Sequence, residues 1–311
     1  MQQHVLQAYD YAKEWLGQGK VASYIPQLAC ANSNNLAIAI TNLNGEVYAA
    51  GDSEVKFTIQ SISKVILLAT ALNEAGFDKV FDKVGMEPTG DPFNSILRLE
   101  SMMKKPLNPM INAGAIAITT CITGQNKEER FEKILSTAKI LFDDENLTYD
   151  KYVFQSEKQT GNKNRSLAYM MKSNGVFDGD VEEHLDIYFK TCSILANCKQ
   201  ISFLGAVLAN GGICPKTKRQ LLTPFIVKVI CSLMTTCGMY DASGEYAIRV
   251  GIPSKSGVGG GIMAAAIGKM GIGTFSPALD NKGNSFCGIK TMEYLSSKLE
   301  LSIFYETYKD R

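Results

Sequence analysis

The sequence predicts an α+β protein: an antiparallel sheet formed from both ends of the chain, with a mainly helical region inserted between them. Three observations carry this. β-prone runs cluster before residue 60 and return around Gly251. Helical periodicity dominates from about Phe77 to Thr236. One long apolar run, Ile62 to Leu72, joins the two regimes. The expected division is residues 1–76 with 237–311 as a sheet subdomain and 77–236 as an inserted helical subdomain, interleaved in one catalytic unit.

Taken in order, Val5, Leu6, Tyr9, Ala12, Trp15 and Leu16 fall at helical spacing and predict an opening amphipathic helix that ends near Gly17 and Gly19. The stretch 21–29 is irregular, because Pro26 fixes its own φ and removes a donor. The runs 36–40 and 47–50 are β-prone and joined through Asn44-Gly45, a strong hairpin signal. Phe57-Thr58-Ile59 is a short β-prone lead into the apolar run. With its Ala and Leu content, that run reads as a helix buried on most sides and stopping at Gly76. Helices are then expected over 111–121, 128–142, 166–172, 185–196, 201–209 and 224–234. Turn signals punctuate them at 88–90, 161–164, 174–175 and 210–212. Strands are expected over 259–267 and 271–275 around a turn at Gly268-Lys269, and a last helix over 285–301. No internal repeat, charge block or low-complexity linker interrupts the pattern.

The 311 residues are 45% hydrophobic and 20% charged, ordinary for a globular chain, with a net charge of +1. That balance points away from nucleic acid and from an anionic membrane as partners. The N-terminal stretch has no apolar signal-peptide core, and no run of about 18 apolar residues is present. A cytoplasmic location is therefore expected. The eight cysteines, Cys30, Cys121, Cys192, Cys198, Cys214, Cys231, Cys237 and Cys287, form no C-x-x-C pair and mostly sit in apolar company. They are expected to be reduced, buried and inert. The chain has only two histidines, His4 and His184, which leaves little for a zinc site or a Ser-His-Asp site.

Ser61 and Lys64 stand in an S-x-x-K arrangement at the start of the apolar run. Residues three apart share a helix face, so Lys64 is within reach of the Ser61 hydroxyl. A serine hydroxyl is a weak nucleophile without an adjacent base. A lysine becomes that base when burial and a helix N-terminus favour the neutral amine. Alone the spacing is common, and a serine at a helix start is usually a cap. The apolar residues around Lys64 weigh against the bland alternative, since a buried lysine is costly. A second stretch, Lys255-Ser256-Gly257, precedes a glycine-rich run. By itself it reads as close packing at a strand entrance. Together with S-x-x-K it matches the S-x-x-K and K-T-G set of penicillin-binding proteins and class A β-lactamases, with Ser256 in place of threonine. Its strand offers a backbone N–H that could face Ser61 and complete an oxyanion hole.

The stretches YIPQLA (24–29), IQSISK (59–64), NPMINAGA (108–115), FQSE (154–157), LANGG (208–212), CGMYD (237–241) and PSKSGV (253–258) run in order over nearly the whole chain. In them the sequence resembles the serine-dependent glutaminases, a family with a β-lactamase-like fold. It is most similar to the short bacterial-type enzymes, without the ankyrin repeats of animal forms. The resemblance implies hydrolysis of L-glutamine to L-glutamate and ammonia, with no metal or organic cofactor, in a homodimer or homotetramer. It implies Ser61 as nucleophile, Lys64 as base and Tyr240 as a proton carrier. It implies Tyr24, Asn112, Glu157, Asn164, Tyr188, Tyr240 and Val258 as substrate contacts, with Gln60, Lys255, Ser256 and Gly257 supporting them. The segment 161–164, GNKN, departs from commoner variants, with Asn164 still at the family distance from Glu157.

The residue chemistry agrees with this resemblance. Free glutamine is a zwitterion. Its ammonium needs a fixed carboxylate, available in Glu157, and its carboxylate needs N–H and O–H donors, available in Asn112, Asn164 and Tyr188. Two rivals stand beside it. A β-lactamase or peptidoglycan peptidase of the same fold would normally carry an export signal. A non-catalytic amino-acid sensor would be expected to lose Ser61 or Lys64. Ammonia release from glutamine, asparagine and a chromogenic β-lactam separates the three.

Overall fold

The Asn44-Gly45 turn closes as the sequence predicts. β2 (Ala37–Asn42) and β3 (Val47–Gly51) pair antiparallel, with Ala39 opposite Ala49. The other strands come from the far end of the chain: β6 (Ser254–Ser256), β7 (Gly261–Ala266) and β8 (Met270–Phe275). β8 pairs with β2, β7 with β8 and β6 with β7, giving a five-stranded antiparallel sheet in the order β3-β2-β8-β7-β6. The computed structural model describes residues 1–89 and 105–305. The expected turn at 88–90 leaves the described residues at Gly90. Among the described residues no single helix is long and apolar enough to cross a membrane.

Alternation sorts the side chains of this sheet onto two faces. Ile38, Ile40, Ile262, Ala264 and Ile272 share one face. They pack with Val5 and Ala8 of α1 (Gln2–Lys13) and with Met292 and Leu295 of α12 (Phe286–Leu299). The other face is built of small residues, Ala37, Ala39, Ala265, Gly271 and Gly273. Their size lets α9 (Cys198–Ala209) lie almost on the backbone of the sheet. A Cβ on Gly271 would stand 2.0 Å from Ala206 N, and one on Gly205 2.3 Å from Ala264 O. Thr41 Oγ1 and Ser202 Oγ, 2.7 Å apart, tie the same two elements.

Behind α9 lies the helical layer around α2 (Ser63–Ala75). Every residue of α2 from Ser63 to Leu72 is buried, the outcome expected of a helix that is apolar on all sides. It packs against α3 (Phe77–Lys83), α4 (Asn112–Ile118), α5 (Lys127–Phe142), α8 (Val181–Cys192) and α10 (Pro224–Cys237). It stops at Gly76, whose φ of +81° favours glycine.

The structure departs from the sequence expectations at several points. The helix expected over 185–196 ends at Cys192. Ser193 Oγ bonds back to Phe189 O, and Leu195–Ala196 leaves as β5, which pairs with β4 (Phe57–Thr58). The helix expected over 111–121 tightens into a 3-10 turn at Thr119, whose hydroxyl donates to Ile116 O. Only Gly161 of the expected turn 161–164 lies outside helix. It separates α6 (Lys151–Thr160), which sequence periodicity did not predict, from α7 (Asn162–Ser173). Gly161 is required there, because a Cβ would stand 2.7 Å from the ring of Phe189 and 2.6 Å from Glu157 O. The strand expected from Gly259 begins at Gly261, because 257–260 forms a tight turn with Gly260 N–H donating to Gly257 O. Among the described residues two smaller pairings accompany the sheet, β1 (Lys20–Val21) with β9 (Ala278–Leu279) and β4 with β5, and the α-helix not yet placed is α11 (Ser243–Arg249).

The glycine contact between sheet and α9 generates a direct expectation. Gly271→Ala should force the two elements apart and lower unfolding stability by about 1–3 kcal/mol, the usual penalty for overpacking. A urea unfolding midpoint equal to that of the unsubstituted protein would show that the layers are not in backbone contact.

Candidate active site

Ser61 is presented by a short anchored turn. β4 reaches it from the sheet side, paired through Phe57↔Ala196 and Thr58↔Leu195. Ile59 N–H then donates to Ile194 O at 2.9 Å. The chain turns at Gln60, whose φ of +47° lies in the left-handed region, at about 1–2 kcal/mol for a residue with a Cβ. Gln60 Nε2 donates to Thr58 Oγ1 at 3.3 Å. Ser61 follows in a 3-10 turn, Gln60–Ile62, that leads straight into α2. Neither this turn nor α2 has a side-chain cap. The Ser61 hydroxyl is therefore not spent as an N-cap.

One turn on, Lys64 Nζ stands 2.7 Å from Ser61 Oγ and 3.2 Å from the Tyr188 hydroxyl of α8. Lys64 has no exposed surface. Burial lowers its pKa from the usual lysine value, against the opposing fields of Cys192 and Glu157. Cys192 lies behind the pair, and burial pushes its thiol up to about 12. It is thus inert, as expected of these cysteines. Seven of the eight are buried, and Cys30 alone is exposed.

On the opposite side of Ser61 stand the 3-10 turn Tyr240–Ala242 and the β6–β7 hairpin. The Tyr240 hydroxyl donates to Ser256 O at 3.2 Å and shares a hydrogen bond with Ser61. Burial raises its pKa, and the Ser61 bond partly offsets this. Gly257 is where the hairpin meets the Ser61 turn: a Cβ there would lie 2.4 Å from Ile59 O and 3.4 Å from Ser61 N. Only a glycine lets the backbone leading into Val258 come this close. Ser256 Oγ is buried and without a partner. Lys255 is fully buried, with Nζ bonded to the carbonyls of Ser256 and Gly238.

In front of Ser61 is a cavity of about 250 Å³. Its walls carry Tyr24, Ile25, Gln60, Ser61, Asn112, Glu157, Thr160, Gly161, Lys163, Asn164 and Tyr188. Glu157, from α6, is 6% exposed, and its Oε2 is without a partner. Burial holds its carboxyl up to about 8, although Lys64 pulls it down. Asn112, at the first position of α4, donates its Nδ2 to Asn164 Oδ1 at 3.0 Å, and its own buried Oδ1 is left without a partner. Two buried acceptors therefore share the cavity, an arrangement that suits a cation. Tyr24 is 56% exposed at the rim. Its pKa is raised well above the usual phenol value, by desolvation at its hydroxyl end and then by the Glu157 charge. Its neighbours Ile25 and Leu28 pack with Tyr240 and Val258, which seats the loop against the site. Lys64, Tyr240, Val258 and the residues 255–257 surround Ser61 without lining the cavity wall. Val258 and Tyr24 also border an adjoining cleft of about 760 Å³. Sequence reasoning missed Thr160 and Lys163. Lys163 lies next to Asn164, and its place in the departing GNKN segment was the available signal.

Comparison with known proteins places this geometry. A family model described as glutaminase matches residues 19–304. A glutaminase of Clostridium botulinum (strain Loch Maree / Type A3) is 50% identical over 293 residues, which is 94% of this chain and 96% of that protein. A glutaminase of Alkaliphilus oremlandii is 52% identical over the same shares. Among solved structures, a probable glutaminase, ybaS, superposes with a TM-score of 0.93 at 43% identity and covers 97% of each chain. The mixed helices and antiparallel strands seen here are the β-lactamase-like fold of these neighbours.

The raised carboxyl of Glu157 carries a sign for stability. The native state holds a proton that the unfolded state releases near the ordinary carboxyl pKa of 4.5, up to about 8. Stability is therefore lost as pH rises across that window. Glu157→Gln has no such group. Its unliganded stability should gain on the unsubstituted protein from about pH 5 to about pH 9, by at least about 1.4 kcal/mol, the equivalent of one pKa unit. Urea unfolding at the two pH values measures this, and a constant difference would sink the raised carboxyl.

Proposed function

The chain belongs to the glutaminase family, amidohydrolases that act on glutamine. On that premise we propose that it hydrolyses L-glutamine to L-glutamate and ammonia through an acyl-enzyme on Ser61, with Lys64 as base. The observation that carries this reading is the 2.7 Å separation of Lys64 Nζ and Ser61 Oγ, beside a cavity whose wall also holds the unpartnered Glu157 Oε2.

In this scheme the substrate ammonium meets Glu157 Oε2 and Asn112 Oδ1, both acceptors. The substrate carboxylate takes N–H and O–H donors from the Asn164 amide and the Tyr24 and Tyr188 hydroxyls; Asn112, expected as a donor there, has its Nδ2 committed to Asn164 Oδ1. Loss of the Glu157 proton on binding completes a charge-assisted pair. Lys64, neutral in its buried setting, takes the Ser61 proton. Oγ then attacks the side-chain amide carbon, and the carbonyl electron pair moves onto oxygen. The N–H groups of Ser61 and Val258 hold that oxyanion, and the close approach of Gly257 to Ser61 N supports the pairing. The C–N bond breaks as Tyr240 delivers a proton to nitrogen, ammonia leaves, and the phenolate recovers a proton from the Lys64 ammonium, which returns Lys64 to the neutral amine. Water then gives a proton to Lys64 and attacks the ester, and Ser61 regains its proton as glutamate departs. A cytoplasmic homodimer or homotetramer belongs to the same reading and is supported by the family likeness alone.

Two measurements test the scheme. Ser61→Ala should lower kcat by roughly a thousandfold or more with an unchanged melting profile. Lys64→Arg should be equally inactive, since arginine stays protonated at working pH. Ser61→Ala activity within about tenfold of the unsubstituted enzyme ends the assignment. Secondly, a glutamine analogue with a diazoketone side chain should attach to Ser61 and not to Cys192 behind it, because that buried thiol carries little thiolate. Glutamate should protect against labelling. Peptide mass mapping decides the matter, and mass on the Cys192 peptide in place of the Ser61 peptide refutes the serine mechanism.

A further inference from the structure

Lys255, on edge strand β6, is fully buried like Lys64, and the scheme above gives it no step. Its Nζ donates to Ser256 O at 2.7 Å and to Gly238 O at 3.1 Å, and it stands 4.5 Å from the centre of the Tyr240 ring. The ionisable groups facing it are Lys64 from α2, Cys192 from α8, Cys237 from α10 and Tyr240 itself, and none is a carboxylate. A lysine placed here for charge pairing would have an acid beside it. This one has two carbonyls and an aromatic face. Burial, and next the charge of Lys64, lowers its pKa well below the usual lysine value. A neutral amine still has two N–H bonds for the two carbonyls.

Both carbonyls belong to the frame of Tyr240. Ser256 O is the same atom that accepts the Tyr240 hydroxyl at 3.2 Å. Gly238 O also accepts Ser256 N–H, at 3.1 Å. A Cβ on Gly238 would lie 1.8 Å from Ser254 O, so the two segments are in backbone contact. Tyr240 itself sits at φ +56°, a conformation that a tyrosine keeps only when its surroundings impose it. Ser243 Oγ donates to Tyr240 O at 2.8 Å and accepts Met239 N–H at 3.1 Å, which clasps the turn from the other side.

We propose that Lys255 is a positioning residue: bonded to Gly238 and Ser256 across the Tyr240 ring, it fixes the phenol against Ser61 so that its proton reaches the leaving nitrogen. The proposal rests on the reading of Tyr240 as proton carrier. As the C–N bond breaks, its electron pair takes the Tyr240 proton. The phenol recovers a proton from the Lys64 ammonium, which holds the one given up by Ser61.

Lys255→Met keeps the length of the side chain and removes its donors. For glutamine, kcat should fall at least about 30-fold while KM changes less than about threefold, because Lys255 touches none of the groups assigned to the amino-acid end. The γ-trifluoroethyl ester of glutamate has a leaving group with far less need of a proton. With that substrate kcat/KM should fall less than about threefold. Tyr240→Phe should show the same split, and adding Lys255→Met to it should cost less than about twofold more. Equal losses on amide and ester, a KM rise at constant kcat, or fully additive losses would make Lys255 a mere brace of the strand and overturn the proposal. A Tyr240→Phe enzyme with unimpaired kcat, beside an inactive Ser61→Ala, removes the proton-carrier reading and the proposal with it. An impaired Tyr240→Phe beside an unimpaired Lys255→Met overturns the role of Lys255 alone. Where Lys255→Met does not fold, Lys255→Gln, which can still donate to one carbonyl, is compared on the same two substrates.

Discussion

A lysine enclosed in an apolar helix, with two hydroxyls for its hydrogen-bond partners, is the constraint on which the rest of the molecule depends. An ammonium buried this way costs several kcal/mol, and the chain meets that cost by holding Lys64 toward the neutral amine. The condition is a dry surround, and the helices packed about α2 provide it. In the proposed scheme, the helices around α2 are thus the means by which a side chain normally charged at neutral pH is held ready to accept a proton. The backbone that presents Ser61 is anchored as well. Ser61 follows a left-handed Gln60, and the two-residue pairing of β4 with β5 fastens the backbone immediately before it.

The legible parts of the fold were those written in one stretch of chain. α2 was readable because its apolar residues follow without interruption, and the β2–β3 hairpin because Asn44-Gly45 marks its turn. α6 was not readable. Lys151, Gln155, Lys158 and Gln159 present a polar surface, and its start is set by Asp150 accepting the N–H groups of Tyr152 and Val153, a local bond with no periodic signature. β5 was absorbed into the preceding helix, because Leu195 and Ala196 are as apolar as Leu185 and Ile187. Only its partner 139 residues earlier in the chain, Phe57 opposite Ala196 by register, makes it a strand; no local window compares positions so far apart.

The site shows the same division. Ser61 and Lys64 were visible as a spacing, because three residues on a helix is a distance. Glu157, Asn112 and Asn164 were visible through the family resemblance and through the charges of a zwitterion. The bond between Asn112 and Asn164 could not be read from sequence, since it spans α4 and α7. Nor could the setting of Lys255, whose partners are backbone carbonyls and a ring face. Such partners leave no mark in residue type.

The unpartnered oxygen of Glu157 has a consequence for which molecules the protein can take. It is a buried acceptor on the cavity wall, and the backbone behind it is held in place by the close packing of Gly161 on Phe189 and on Glu157 O. A glutamine whose amino group is joined in a peptide bond brings a single weak donor and a trailing chain to that place, with no positive charge to repay the desolvated oxygen. In the proposed scheme, glutamine residues within polypeptides are therefore poor substrates, although their side chains carry the same amide. Under that reading the choice between free and peptide-bound glutamine is made at the amino end of the substrate, far from the bond that is cut.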